Sequence, residues 1–201
     1  FLREGLKWSD GAPVTTEDVV FAYESIWLNE DLNPVLPSNL SPGGEFMELV
    51  AIDDYTFRLD FAVSYPAILS ILALRWDPIL MYPKHYLSQF HPDYNENAEE
   101  DAIEAGFDGW VSRFDFHMAS RDSQQDPDRP TLESWVLDRQ DDSGNRYFVR
   151  NPYYFKVDTA GNQLPYIDQI DRVLVENREV RTLRIVSGEI DFAGWDLPIS
   201  E

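Results

Sequence analysis

No cysteine occurs in the 201 residues, so the chain has neither disulfides nor thiolate metal ligands. A secreted protein of this size folds without disulfides, and the absence assigns no compartment. Histidine is scarce. His85, His91 and His117 have neither the i, i+4 spacing of a zinc-binding helix nor a cysteine partner, so no metal and no cofactor is expected. No uninterrupted apolar run approaches the ~20 residues of a membrane helix. The longest, Ala67–Leu74, is broken by Ser70 and ends at Arg75. A glycine-rich phosphate loop and a Gly-x-Ser-x-Gly elbow are both missing. Basic residues are few: 16 stand against 37 acidic ones, a net charge of −21. Phosphate polymers are repelled by such a surface, which argues against nucleic acid as a partner. Lysine is rarest, at Lys7, Lys84 and Lys156. Few lysines with many acids fit a salt-exposed protein, outside the cytoplasm or from a saline habitat, and fit a merely acidic surface equally well. No signal-peptide pattern is visible. Phe1 already lies in an apolar strand pattern, and Asp196–Glu201 stops just after another, so the chain is expected to be a piece of a larger protein.

What is present supports a real core. Hydrophobic residues make up 43% and aromatics 14%, enough for one large or two small domains. The first twenty-eight residues are the most informative. An apolar segment around Trp8 runs into an Asp10-Gly11 turn, and Pro13 stiffens the exit. Thr15 and Asp18 have capping-box spacing, with Asp18 in place of the usual Glu or Gln. Val19, Val20, Tyr23, Ile26 and Trp27 then recur at helical spacing, so residues 15–28 are expected to form a helix. Its stripe of Val20, Tyr23 and Trp27 is expected to cover the next apolar hairpin.

Residues 29–44 are rich in Pro, Ser and Gly and read as a loop. Phe46–Ile52 and Tyr55–Phe61 flank Asp53-Asp54 and read as a hairpin whose Phe57, Leu59 and Phe61 share a buried face. A helix is expected from Pro66 through Leu74, and another short one over Pro83–Phe90. Residues 91–109 are acidic, as in a solvated helix or an insertion. Residues 120–130 are polar and full of breakers, which marks them as a domain boundary. Beyond them, Leu132–Leu137 and Arg146–Arg150 bracket a turn at Asp141–Asn145. Asp138–Gly144 superficially matches a calcium loop, but Arg139 would hold its first ligand position and Gln140 stands outside the acidic pattern, so a plain hairpin turn is expected. Ile170–Val175 is strand-like, Glu179–Val186 is helical and closed by Gly188, and Ile190–Trp195 is expected as a final short strand. No internal repeat is visible.

The opening string, Trp8-Ser-Asp10-Gly11 through Trp27, resembles a signature of the family 5 extracellular solute-binding proteins, the dipeptide and oligopeptide receptors of ABC importers. Three later segments in matching order strengthen the likeness: Arg150-Asn151-Pro152-Tyr153-Tyr154-Phe155, Gly161-Asn162-Gln163-Leu164-Pro165-Tyr166-Ile167-Asp168, and Ser187-Gly188-Glu189-Ile190-Asp191-Phe192. The likeness covers most of the chain except 91–130. Pro130–Trp135 replaces the Gly-Thr-Gly-Pro turn of many members, which marks a divergent branch. The resemblance implies a mixed α+β, or α/β, fragment of a two-lobed periplasmic-binding-protein fold of type II. It places residues 1–128 in a small extra subdomain and 129–201 in part of the main N-terminal lobe. It also implies capture of a peptide or similar solute without catalysis, a membrane permease as partner, a monomer, and a periplasmic or extracellular location with a lipoprotein anchor open. An oligosaccharide ligand is the runner-up, because the Gly161–Asp168 branch resembles receptors that include sugar binders.

The quoted motifs read as scaffold: Asp10-Gly11, Asn151-Pro152 and Gly188 have turn roles. Tryptophans are better ligand candidates, since aromatic faces stack on sugar rings and peptide side chains. Trp8, Trp27 and Trp135 fit apolar core positions. Trp76 ends a helix before Asp77-Pro78, and Trp195 ends a strand beside Asp196. Ligands in α/β lobes sit beyond strand ends, so Trp195, Asp196 and Trp76 are the candidate ligand contacts. Acidic pairs are abundant, which leaves an acidic glycoside hydrolase as the alternative from another class.

Overall fold

The computed structural model describes residues 1–74, 80–119 and 124–193. The chain opens on a closed turn in which Lys7 and Pro13 bridge antiparallel. Gly11 takes φ +92° there, and a Cβ would sit 3.1 Å from Tyr153 Oη, so the turn and the packing both require glycine. Helix α1 (Thr16–Phe21) carries the expected capping box: the Thr15 side chain accepts from the first turn, and Asp18 accepts from Thr15 N–H. Thr16 Oγ1 donates to Asp53 O at 2.7 Å and pins the helix start to the first hairpin. From Ala22 to Trp27 the helix widens into π turns, with Leu28 N–H bonded to Tyr23 O at 3.0 Å.

Strands β1 (Glu48–Asp53) and β2 (Thr56–Asp60) form the expected antiparallel hairpin. Val19, Leu40, Met47 and Leu80 are its buried cover, with Tyr23, Trp27, Phe57, Leu59 and Phe61 packed around them. The stripe therefore uses Val19 where Val20 was expected; Val20 is only partly buried. Tyr23 stacks on Phe46 at 5.8 Å and donates to Met47 O at 3.0 Å. Helix α2 (Ile68–Leu74) starts two residues after Pro66 and adds Ile68 and Ile71 to the same cluster.

The opposite side of the first helix feeds a second cluster. Phe21 and Ile26 meet Leu87 from α3 (Lys84–Leu87), Phe90 from the 3₁₀ turn that continues it, and Phe114 from α5 (Trp110–Met118). Side chains of this size contribute about 1.5–3 kcal/mol each when fully buried. Helix α4 (Ala98–Glu104) is the expected solvated one: it buries Ala98 and Ala102 and exposes Ile103. The sequence pattern alone did not mark α5.

Beyond residue 123 the architecture opens out. Strands β3 (Trp135–Gln140), β4 (Arg146–Arg150) and β5 (Gln169–Arg172) form an antiparallel sheet in the order β3-β4-β5. Two of its loops share one design. Asp141 accepts from Ser143 N, Asn145 N, Asn145 Nδ2 and Tyr147 Oη. Asp158 accepts from Ala160 N, Asn162 N, Asn162 Nδ2 and Tyr166 Oη. The repeated pattern is Asp-x-x-Gly-Asn with a tyrosine lid, and Gly144 and Gly161 supply the left-handed corner at φ +79° and +84°. Both carboxylates accept from these donors, which accounts for the two tight turns. Helix α6 (Arg178–Val186) is capped by Asn177 and closed at Gly188, where Glu189 N–H reaches Arg184 O at 2.9 Å. The final strand expected over Ile190–Trp195 is absent from its described part: residues 190–193 leave this closing turn without a strand partner.

Residues 124–131, at the breaker-rich stretch, are a packed polar segment. Gln124, Asp126, Arg129 and Thr131 are all buried. Ser9 and Thr131 exchange two hydrogen bonds of 3.0 Å, and Arg3 donates to Phe155 O at 3.0 Å, so the start of the chain is stitched to the second sheet.

Candidate functional site

The three contacts expected from sequence cannot be placed: Trp76, Trp195 and Asp196 all lie outside the described residues. The remaining tryptophans divide cleanly. Trp8 is fully buried and donates through Nε1 to Asp18 at 3.2 Å. Trp27 packs on the hairpin cluster, and Trp110 meets the edge of His91 at 5.1 Å. These three are packing residues. Trp135, expected in the core, is instead half-buried at the wall of a groove of about 340 Å³.

That groove is lined by Trp135, Tyr154, Leu164, Pro165, Tyr166 and Ile167. Sequence brings these residues together in two steps. β3 carries Trp135, while the loop closed by Asp158 returns Leu164–Ile167 alongside it. The polar ends of the rings are already committed: Trp135 Nε1 donates to Ile167 O at 3.1 Å, and Tyr166 Oη donates to Asp158. The Tyr166 hydroxyl and the Asn162 amide hold the Asp158 carboxyl well below the usual range. The rings are thus fixed with their faces open, a surface suited to stacking rather than to proton transfer.

The burial of His91 and Asp126 went unforeseen, because partners such as Ser25 and Tyr86 are distant in sequence; the capping-box residue Asp18 is the third buried polar group. His91 is fully buried; Nε2 donates to Ser25 O at 3.0 Å and Nδ1 accepts Asp93 N–H at 3.2 Å. That pairing suits the neutral ring, and burial pulls its pKa below the ordinary imidazole value. Asp18 accepts from Trp8, Thr15 and Lys84 N–H, yet burial still pushes its carboxyl up. Asp126 Oδ2 receives Tyr86 Oη at 2.6 Å and His117 Nδ1 at 2.7 Å, with Phe90 stacked on His117 at 3.7 Å. Burial works to raise Asp126, but these two donors outweigh it and hold the carboxyl low, while burial and Asp126 push the Tyr86 hydroxyl up. All three groups are spent on internal hydrogen bonds. Among the described residues, no three His, Cys, Asp or Glu side chains group as metal ligands.

The match to the family model of bacterial extracellular solute-binding proteins, family 5 (Middle), runs over residues 1–201, and the chain belongs to that family. A solved oligopeptide-binding protein OppA is 38% identical, with a TM-score of 0.81 over 94% of this chain and 29% of its own. The periplasmic alpha-galactoside-binding protein of Rhizobium meliloti (strain 1021) is 28% identical over 98% of this chain and 26% of its own length. The periplasmic binding protein MelB of Agrobacterium fabrum C58, solved with stachyose, is 26% identical, with a TM-score of 0.72 over 94% of this chain and 26% of its own. This chain therefore spans between a quarter and a third of the proteins it matches. No helix among the described residues is long and apolar enough to cross a membrane.

Proposed function

We propose that the intact protein captures an oligopeptide outside the cytoplasm and delivers it unchanged to the membrane permease of an ABC importer. The observation that carries this reading is the likeness to the solved OppA, at 38% identity and a TM-score of 0.81. In the same proposal, residues 1–128 are a small extra subdomain and 129–201 part of the main lobe. Trp195, Asp196 and Trp76 contact the ligand, and a lipid anchor holds the monomer near its permease. An oligosaccharide is the second reading, favoured by two relatives whose names carry an alpha-galactoside and stachyose.

Mass spectrometry of the small molecules released when the purified full-length protein is denatured separates the readings. Peptide masses support the first, a hexose series supports the second, and conversion of an added oligosaccharide would replace both with a hydrolase. Trp195→Ala in the full-length protein is expected to weaken binding of the identified ligand by at least ~1 kcal/mol. Unchanged affinity with lowered stability would remove Trp195 from the site.

A further inference from the structure

We propose that the groove beside β3 is a second binding site, taking a ring of a short acidic oligosaccharide. The proposal rests on neither reading of the imported solute. Two of the rings that line the groove, Trp135 and Tyr166, have their polar ends bonded to Ile167 O and Asp158. Tyr154 adds a third ring, and Leu164, Pro165 and Ile167 complete the apolar lining. Its volume of about 340 Å³ is that of a small-ligand site. Rings held this way present faces and no donors, which suits the C–H face of a sugar ring. The hydroxyls of Tyr154 and Ser134, by contrast, have no hydrogen-bond partner among the described residues, so two groups remain to meet the hydroxyls of a sugar.

Charge narrows the class of sugar. The chain carries 16 basic residues against 37 acidic ones, and only three lysines. Two of those lysines stand over the aromatic segment at the groove. Lys156 Nζ lies 6.0 Å from the Tyr154 ring centroid and 5.7 Å from that of Phe155, and Lys7 Nζ lies 5.3 Å from that of Tyr153. Arg3 joins them, 5.9 Å from the Phe155 centroid. Lys156 is tied to the lining itself, because Leu164 N–H donates to Lys156 O at 3.0 Å. All three cationic residues are exposed, and none meets a carboxylate at ion-pair distance among the described residues. The remaining lysine, Lys84, is paired with Glu17. Acids beside the groove are already engaged: Asp158 accepts from Tyr166, and Asp168 lies 3.4 Å from Arg150. Three cations without acidic partners, in so acidic a chain, form a local field that attracts a carboxylate.

The same charges limit the length of the occupant. Screening over about 8–10 Å lets these cations act without the distant acids. A long polyanion such as nucleic acid would run on to the acidic remainder of the surface and be repelled. A second copy of this chain brings its own net charge of −21, and a flat lipid surface does not enter a groove. A short chain of uronate rings offers an apolar ring face and a carboxylate together, and so answers both features.

Calorimetric titration of the full-length receptor with tetragalacturonate tests this, with maltotetraose as the neutral control. Saturable binding of the acidic tetramer is expected, at least about 10-fold tighter than the neutral one and weakened several-fold by about 0.5 M salt. Trp135→Ala should weaken it at least about 10-fold, the loss of one stacked ring. Lys7→Gln combined with Lys156→Gln should weaken it about 5-fold or more. The solute that co-purifies with the receptor should stay bound throughout. No saturation up to about 10 mM tetramer overturns the site. So does equal affinity for the neutral tetramer, or affinity unchanged by the substitutions. Displacement of the co-purified solute also overturns it, by assigning the binding to the import cleft. Should Trp135→Ala fail to fold, the double lysine variant decides alone, because both residues are exposed.

Discussion

Among the described residues, the buried apolar side chains before residue 120 include Trp8, Phe21, Ile26, Met47, Leu87 and Phe114; after residue 123 there is Leu137. The two regions have comparable apolar patterning but different closure. In the first, one helix serves two clusters from opposite sides, so both of its apolar faces find a neighbour. In the second, a three-stranded sheet and a helix carry apolar side chains that meet solvent. What holds the second region in shape is polar: the Asp141 and Asp158 loops, the Asn151 side chain reaching Glu133 O at 2.9 Å, and the stitches to residues 3 and 9. A region can thus keep a defined backbone on hydrogen bonds while its apolar side chains meet solvent.

The contrast is sharpest at single apolar side chains. Phe21→Ala is expected to destabilise the chain by about 3–5 kcal/mol, the cost of a cavity at a fully buried ring. Leu183→Ala should shift the same denaturant midpoint by less than about 0.5 kcal/mol, as for an exposed position. Comparable losses at the two sites would erase the distinction.

Polar anchors are the second comparison. Asp126 and Asp158 both accept several hydrogen bonds, but only Asp126 is buried. Asp126→Ala leaves the partly buried Tyr86 hydroxyl and His117 N–H without their acceptor and should cost about 1–3 kcal/mol in urea unfolding. Asp158→Ala exposes its former donors to solvent and should cost less. The reverse order would show that the loop, rather than the buried segment, holds the second region.

The smallest expected effect is a pH slope confined to the first region. His91 is held below the ordinary imidazole value, so the unfolded chain takes up the proton first. Its contribution is complete above about pH 6.5 and is lost as pH falls from there toward the folded-state value. Thermal melts of wild type should therefore decline between pH 7.5 and 5, and His91→Gln should flatten that decline. An equal slope in both proteins would place the titrating group elsewhere.

Much of this was legible in the residues. The Thr15–Asp18 box, both hairpins, the short helix after Pro83 and the Gly188 stop are local devices, and local devices show in sequence. Family membership followed from four such strings in order. Helix α5 was not legible, because Trp110, Phe114 and Met118 alternate with charged and polar neighbours that hide the stripe. Residues 124–131 look like a linker by composition, yet Asp126 and Arg129 are buried. The partners of Asp126 lie on α3 and α5, and spacing carries no trace of such pairs. The Asp-x-x-Gly-Asn repeat was missed because its spacing is shorter than any repeat unit of a fold. For the ligand contacts, the tryptophans could be sorted by pattern only into core and not-core, and that put Trp135 in the core when it lines a groove.

The wide turn between Ala22 and Trp27 works as a phase shifter. An α-helix advances roughly 100° per residue, so one residue more or fewer re-aims everything downstream. Here the π turns let the capped start present Val19 to the hairpin and still deliver Tyr23 and Trp27 to the same cluster, while Phe21 and Ile26 serve the other. Removing a single residue from α1, ahead of this stretch, would swing Tyr23 and Trp27 roughly 100° off the hairpin, exchanging the clientele of two cores at once. The first helix is therefore the place where chain length, more than residue identity, is under constraint.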